Sequence, residues 1–138
     1  EKARQLGADH VINYAEQQVS REVMRITGGR GADLVIETTG AATFPESMAS
    51  LAVGGRIVVG GKHTGAKVTF DLQHSMARDW QVMDSMSYTR RDVERVYKLA
   101  LERKVRPIIH ARLPLHEAQR AHEMLERREQ FGKVLLIP

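Results

Sequence analysis

At 138 residues the chain is one domain's worth of sequence, long enough to bury a core, and 42% apolar with 28% charged residues is an ordinary globular composition. The lack of cysteine excludes disulfides, thiolate metal sites and cysteine nucleophiles, and it fits a cytoplasmic setting. No run reaches the ~18 apolar residues a membrane helix needs, and the +4 net charge is dispersed among only 5% aromatics, against a membrane or nucleic-acid partner.

Glu1 to Leu6 reads as the last turns of a helix with Gly7 as its C-cap. A native chain rarely opens in mid-helix, so this reading expects sequence in front of it. His10 to Tyr14 follows as a short strand, then a helix from Glu16 to Thr27 with Val19, Val23, Met24 and Ile26 on its apolar side, stopped by Gly28-Gly29.

The organising stretch is Asp33 to Gly61. Leu34, Val35 and Ile36 form an apolar β-rich run too short for a helix, and Thr38, Thr39 and Gly40 break it. Phe44, Met48 and Leu51 recur at helical spacing, Gly54 and Gly55 close that helix, and Ile57 to Val59 make a second buried run before Gly60 and Gly61. Two such runs joined by an amphipathic helix predict parallel strands with a right-handed crossover, covered on both faces. Ligands of such sheets bind at the carboxyl ends of the strands. Here those ends carry Thr38-Thr39-Gly40 and Gly60-Gly61, small residues that let a ligand approach backbone. Asp33 and Glu37 bracket the first strand and read as its solvent-reaching ends rather than as an acid–base pair.

Lys62 to Lys67 is a loop, and Val68 to Phe70 a short extended piece. Asp71 caps a helical turn or two ending near Arg78, and Gln81 to Met86 is the next strand. The strongest helix runs from Thr89 to Lys104, with Thr89 and Asp92 spaced as a capping box and Val93, Val96, Tyr97, Leu99 and Ala100 as its stripe. Pro107 ends that element. A strand begins at Ile108-Ile109, a helix runs from Leu115 to about Arg128, and Gly132 releases a final strand, Lys133 to Ile137. Strands alternate with helices throughout, which predicts an α/β domain with a mostly parallel sheet. The six histidines lack ligand spacing: His116-Glu117 with His122 is not H-E-x-x-H, and no metal site is expected.

In this order the strings LGADHVINY, TGGRGADLVIETTG, LAVGGRIVVGG and PLHEAQRAHEMLERREQFGKVLLIP resemble the cofactor domain of the medium-chain dehydrogenase/reductase family, from Glu1 to Pro138. That family includes zinc-type alcohol dehydrogenases and quinone oxidoreductases. The resemblance implies a Rossmann-like sheet that is incomplete here: its first two strands and the G-x-G-x-x-G turn are absent, and so is the GroES-like catalytic domain that holds zinc and substrate. It implies a dinucleotide cofactor, NAD or NADP, met by Thr38, Thr39 and Gly40 after the fourth family strand. Val59, Gly60 and Gly61 follow the fifth, and Asp84, Ser85 and Met86 the sixth. Lys133 matches a basic residue that contacts the cofactor phosphates.

The implied parent enzyme moves a hydride between NAD(P) and a small alcohol, aldehyde or ketone, and the chain alone is inactive. Phe70 to Tyr88 leans toward the zinc-type branch. The alternatives are a zinc-free quinone oxidoreductase fragment, or a nucleotide-binding or oligomerisation module without catalysis. The family's dimers imply a homo-oligomer joined through the Gln81–Ser87 edge. With two strands missing, the His10–Tyr14 strand lacks a neighbour and the strand at Val35 exposes an edge. An isolated chain is therefore expected to be marginally stable, re-paired or held in an oligomer.

Overall fold

A computed structural model describes residues 1–138. The chain forms two compact units, Glu1–Ser87 and Tyr88–Pro138, each with its own parallel sheet.

The first unit begins with a single helical turn, α1 (Lys2–Gln5), which Gly7 ends at a φ of 99°. His10 to Tyr14 is not a strand. A strand exists only where another strand takes up its backbone groups, and here none does. Instead the Asn13 carbonyl accepts from the amides of Glu16 (3.0 Å) and Gln17 (2.9 Å), and its side chain accepts from the Ala15 amide (3.2 Å). This is a local turn of the kind asparagine favours, and it leads into α2 (Val19–Ile26). The first turn of α2 has no cap of its own. The Ser20 amide donates to the Glu46 carboxylate at 2.9 Å, so a residue 26 positions away fills the role.

β1 (Ala32–Glu37), α3 (Phe44–Ala49) and β2 (Leu51–Val59) form the expected crossover unit, and β3 (Gln81–Asp84) extends it. The order is β1-β2-β3, all parallel. Gly54 and Gly55 do not close α3 but lie inside β2. There the register jumps from Ala32 beside Leu51 to Leu34 beside Arg56, which is a bulge. Gly54 turns it at a φ of 71°, and a Cβ on Gly55 would stand 2.8 Å from the Ala52 carbonyl oxygen. The helix instead ends at Ser50, whose hydroxyl donates to the Glu46 carbonyl at 2.7 Å.

The core is one face of this sheet. Phe44, Met48, Leu51 and Ile57 are buried, with Val35, Val59 and Trp80 packed against them. Burying side chains of this size stabilises by roughly 1.5–3 kcal/mol each. The expectation of cover on both faces fails. Leu34 and Ile36, which alternate with Val35 and Glu37, are 52% and 60% exposed, because α3 lies on the other side. The outer edge of β1 also has no strand beside it, so His10–Tyr14 has not re-paired there. Val68 to Phe70 pairs with nothing. α4 (Leu72–Ala77) is capped as expected, the Asp71 side chain accepting from the His74 amide at 3.0 Å.

In the second unit α5 (Arg90–Leu101) carries the full capping box, Thr89 and Asp92 exchanging side-chain and backbone hydrogen bonds. β4 (Ile109–Pro114) and β5 (Lys133–Ile137) pair in parallel, joined through a 3-10 turn (Leu115–Glu117) and α6 (Ala118–Glu126). Leu113 and Ala121 are buried in this small core.

Candidate functional site

The strand register settles which residues share an edge. Glu37 stands beside Val59, and Val59 beside Asp84, so the three strands of the first unit finish level. The ladder runs one step further. The Gly60 amide donates to the Glu37 carbonyl at 2.8 Å, and the Ser85 amide to the Val59 carbonyl at 2.9 Å. Thr38, Gly60 and Ser85 therefore leave the sheet side by side, and the segments 38–40, 59–61 and 84–86 line one carboxyl edge. Met86 projects from it, 78% exposed. Lys133 belongs to the second unit, exposed at the start of β5, where its amide donates to the Ile108 carbonyl at 2.8 Å.

The glycines at this edge do different jobs. A Cβ on Gly61 would overlap the Thr38 carbonyl oxygen, so this glycine lets two loops of the chain touch. Gly40, at a φ of 104°, would place a Cβ 2.7 Å from the Gly65 carbonyl oxygen and 2.8 Å from the Lys62 Cα. Gly60 alone faces open space: its Cβ would meet nothing nearer than the Ser85 carbonyl oxygen at 3.9 Å. Backbone can meet a ligand there.

Thr64 stitches the two loops together. Its amide and hydroxyl donate to the Thr39 carbonyl at 2.9 and 3.1 Å, and its hydroxyl accepts from the Ala42 amide at 3.0 Å. The Ala41 amide donates to the Gly65 carbonyl at 3.1 Å.

Beneath the loop lies a carboxylate that the sequence reading places at the solvent. Glu37 is only 3% exposed. One of its oxygens accepts from the Thr39 amide (2.7 Å), the Gly40 amide (3.0 Å) and the Thr43 hydroxyl (2.8 Å), and the other from the Ser47 hydroxyl (2.5 Å). Burial works against its charge. The Ser47 hydroxyl, the Gly40 and Thr39 amides and the Thr43 hydroxyl together outweigh it and hold the carboxyl below the ordinary glutamate value. Glu37 ends β1, a place that suggests solvent, but the chain folds back over it. Thr43 and Ser47, four apart and so on one side of the chain as it enters α3, are the signal that a polar group lies beneath them. Asp33 does reach solvent, pairing with Arg30 through contacts that include one of 2.6 Å.

The sequence profile of the zinc-binding dehydrogenases matches residues 6–136. The chain belongs to that family. The resemblance to medium-chain dehydrogenases is thereby upheld. An acryloyl-coenzyme A reductase of Metallosphaera sedula is 34% identical over 99% of this chain and 40% of its own length. An NAD-dependent alcohol dehydrogenase of Sulfurisphaera tokodaii is 32% identical over 100% of this chain and 40% of its own. The crystal structure of an NAD-dependent alcohol dehydrogenase superposes with a TM-score of 0.88 at 35% identity, covering 99% of this chain and 40% of that one. The chain thus spans about 40% of the length of these relatives.

The family description implies zinc, and the residues here do not fit it. The sequence has no cysteine, and no three histidine or carboxylate side chains gather anywhere in the structure. No helix is long and apolar enough to cross a membrane.

Proposed function

We propose that this chain is the cofactor-binding portion of a longer oxidoreductase that moves a hydride between NAD or NADP and an alcohol or carbonyl substrate. The observation that carries it is the level carboxyl edge of β1, β2 and β3, with Gly60 open to a ligand and Thr38–Gly40 held rigid beside it. Relatives named as NAD-dependent alcohol dehydrogenases support a nicotinamide cofactor. The dinucleotide supplies the hydride chemistry when bound, and the protein supplies its place and orientation.

The residues assigned to that contact are Thr38, Thr39, Gly40, Val59, Gly60 and Gly61, with Asp84, Ser85 and Met86 beside them. Lys133 is proposed for the phosphates. None of these residues polarises a substrate, so that work, and any zinc, falls to the remainder of the enzyme, and the chain alone is inactive. β3 has a free edge with every residue exposed, and we assign it the contact between subunits.

A second reading, reduction of a carbon–carbon double bond conjugated to a thioester, is favoured by the acryloyl-coenzyme A reductase at 34% identity. Calorimetric titration of the longer enzyme with NAD and NADP tests the cofactor. Binding of one dinucleotide, weakened by Gly60→Val, is the expected result, and binding of neither refutes it. Turnover of an alcohol against an acrylyl thioester separates the two substrate readings.

A further inference from the structure

Glu37 is the one buried carboxylate of the chain, and it is spent on a loop rather than on an ion pair. Its four partners are neutral donors, two from the loop backbone and two from side chains at the start of α3. The loop is thereby fixed from both sides. The Thr39 amide points inward to Glu37, while the Thr39 carbonyl points away to Thr64. This sets the plane of the peptide groups at 38–40, and the same carboxylate ties them to α3. Glu37 also lies directly beside Val59 in the ladder, one residue before Gly60.

We propose that Glu37 is a positioning residue for the cofactor: its carboxylate holds Thr38, Thr39 and Gly40 in the one backbone form that meets the dinucleotide beside Gly60. This rests on the cofactor reading above. Glu37 does not touch the ligand. It acts through the loop, and a charged, acceptor-only group gives its four donors the strongest bonds. An ionised carboxylate offers about four lone-pair sites and no proton, whereas an amide of the same shape turns an NH2 toward donors. Glutamine at this position can keep one oxygen toward the Thr39 and Gly40 amides and the Thr43 hydroxyl, but it loses the charge that strengthens those bonds and turns an NH2 toward Ser47, so its hold on the loop and on α3 is weaker. The charged and titratable groups on Glu37's own strand and on the neighbouring elements are Asp33 on β1, Glu46 on α3, Arg56 on β2, Lys62 and His63 after β2, and Asp84 on β3. None of them bonds to Glu37, and Glu46 is engaged by Ser20.

The test compares the longer enzyme with its Glu37→Gln variant, using NAD and NADP as probes across acid and neutral pH. The expected result is a KM for the cofactor about tenfold higher with kcat within about twofold, as follows when binding geometry rather than chemistry is disturbed. The wild-type affinity is expected to fall on acidification below the ordinary glutamate value, and this limb is absent from the variant. A limb owed to another group persists in both. A variant with unchanged cofactor affinity and an unchanged pH profile overturns the proposal. Should the variant not fold, Ser47→Ala serves instead, with the acid limb expected to move to higher pH and an unmoved limb overturning the role. Failure of the wild type to bind either dinucleotide overturns the cofactor reading itself, and the positioning role with it, a result distinct from binding that ignores the substitution.

Discussion

The two faces of the three-stranded sheet share one backbone and differ in everything else. On the α3 side Leu51 and Ile57 are 0% exposed, and the same face rises to Glu37 under its four donors. On the other side Leu34, Ile36 and Met83 stand roughly half open to solvent. β1 supplies both faces from six residues by simple alternation. The loop at 38–40 takes its hold on the sheet from the α3 side, while Thr64 ties its other end to the segment after β2. The carboxylate, the hydroxyls of Thr43 and Ser47 and the packed Phe44 and Met48 all belong to the α3 side.

The sharpest way to break the contrast is truncation on each face. Leu51→Ala is expected to cost about 2–5 kcal/mol, since a fully buried leucine leaves a cavity. Ile36→Ala is expected to stay within about 0.5 kcal/mol. Urea denaturation with the slope held constant measures both, and equal costs would mean that the open face is covered in solution.

Next in size is the pair of glycines at the edge. Gly61→Ala forces backbone apart at Thr38 and is expected to destabilise by about 1–3 kcal/mol, whereas Gly60→Ala, with open space before it, leaves the midpoint unchanged within about 0.5 kcal/mol. The second unit offers a separate comparison. Thr89→Ala removes the capping box of α5 and is expected to lose about 1 kcal/mol.

The smallest and most specific effect is on pH. A carboxyl held below its ordinary value contributes stability that is fully present above the unfolded-state value and is lost as the pH falls through the folded one. The midpoint is therefore expected to drop on acidification below the ordinary glutamate range. Glu37→Gln removes that part of the drop, and a variant whose acid profile matches the wild type would place the carboxylate in solvent.

Where local chemistry decides an element, the sequence was enough to read it. α5 announces itself through Thr89, Asp92 and its stripe, and α4 through Asp71. The β1–α3–β2 crossover was legible because two short apolar runs flank a helical spacing. What depends on a partner was not. His10–Tyr14 has strand composition and no strand beside it. Gly54-Gly55 looks like a helix stop, yet its conformation is dictated by β1 across the ladder. Leu34-Val35-Ile36 reads as buried throughout, but alternation and the placement of α3 bury only its middle residue's side of the sheet.

The candidate edge at Thr38–Gly40 and Gly60-Gly61 was readable from small residues after apolar runs. The distinct roles of Gly60 and Gly61 were not, because they turn on how closely Thr38 approaches each. Glu37 was misplaced for a similar reason: its burial is set by Thr43 and Ser47, six and ten residues on, and no spacing rule for strands includes them.

Hydrogen–deuterium exchange of the longer enzyme, with and without saturating NAD or NADP, tests the central claim most directly. Slower exchange centred on segments 37–43, 59–65 and 84–86 of this unit, with β1's open face unaffected, is the result expected of a cofactor seated on the carboxyl edge. Protection elsewhere in the unit with these three segments unchanged would contradict it.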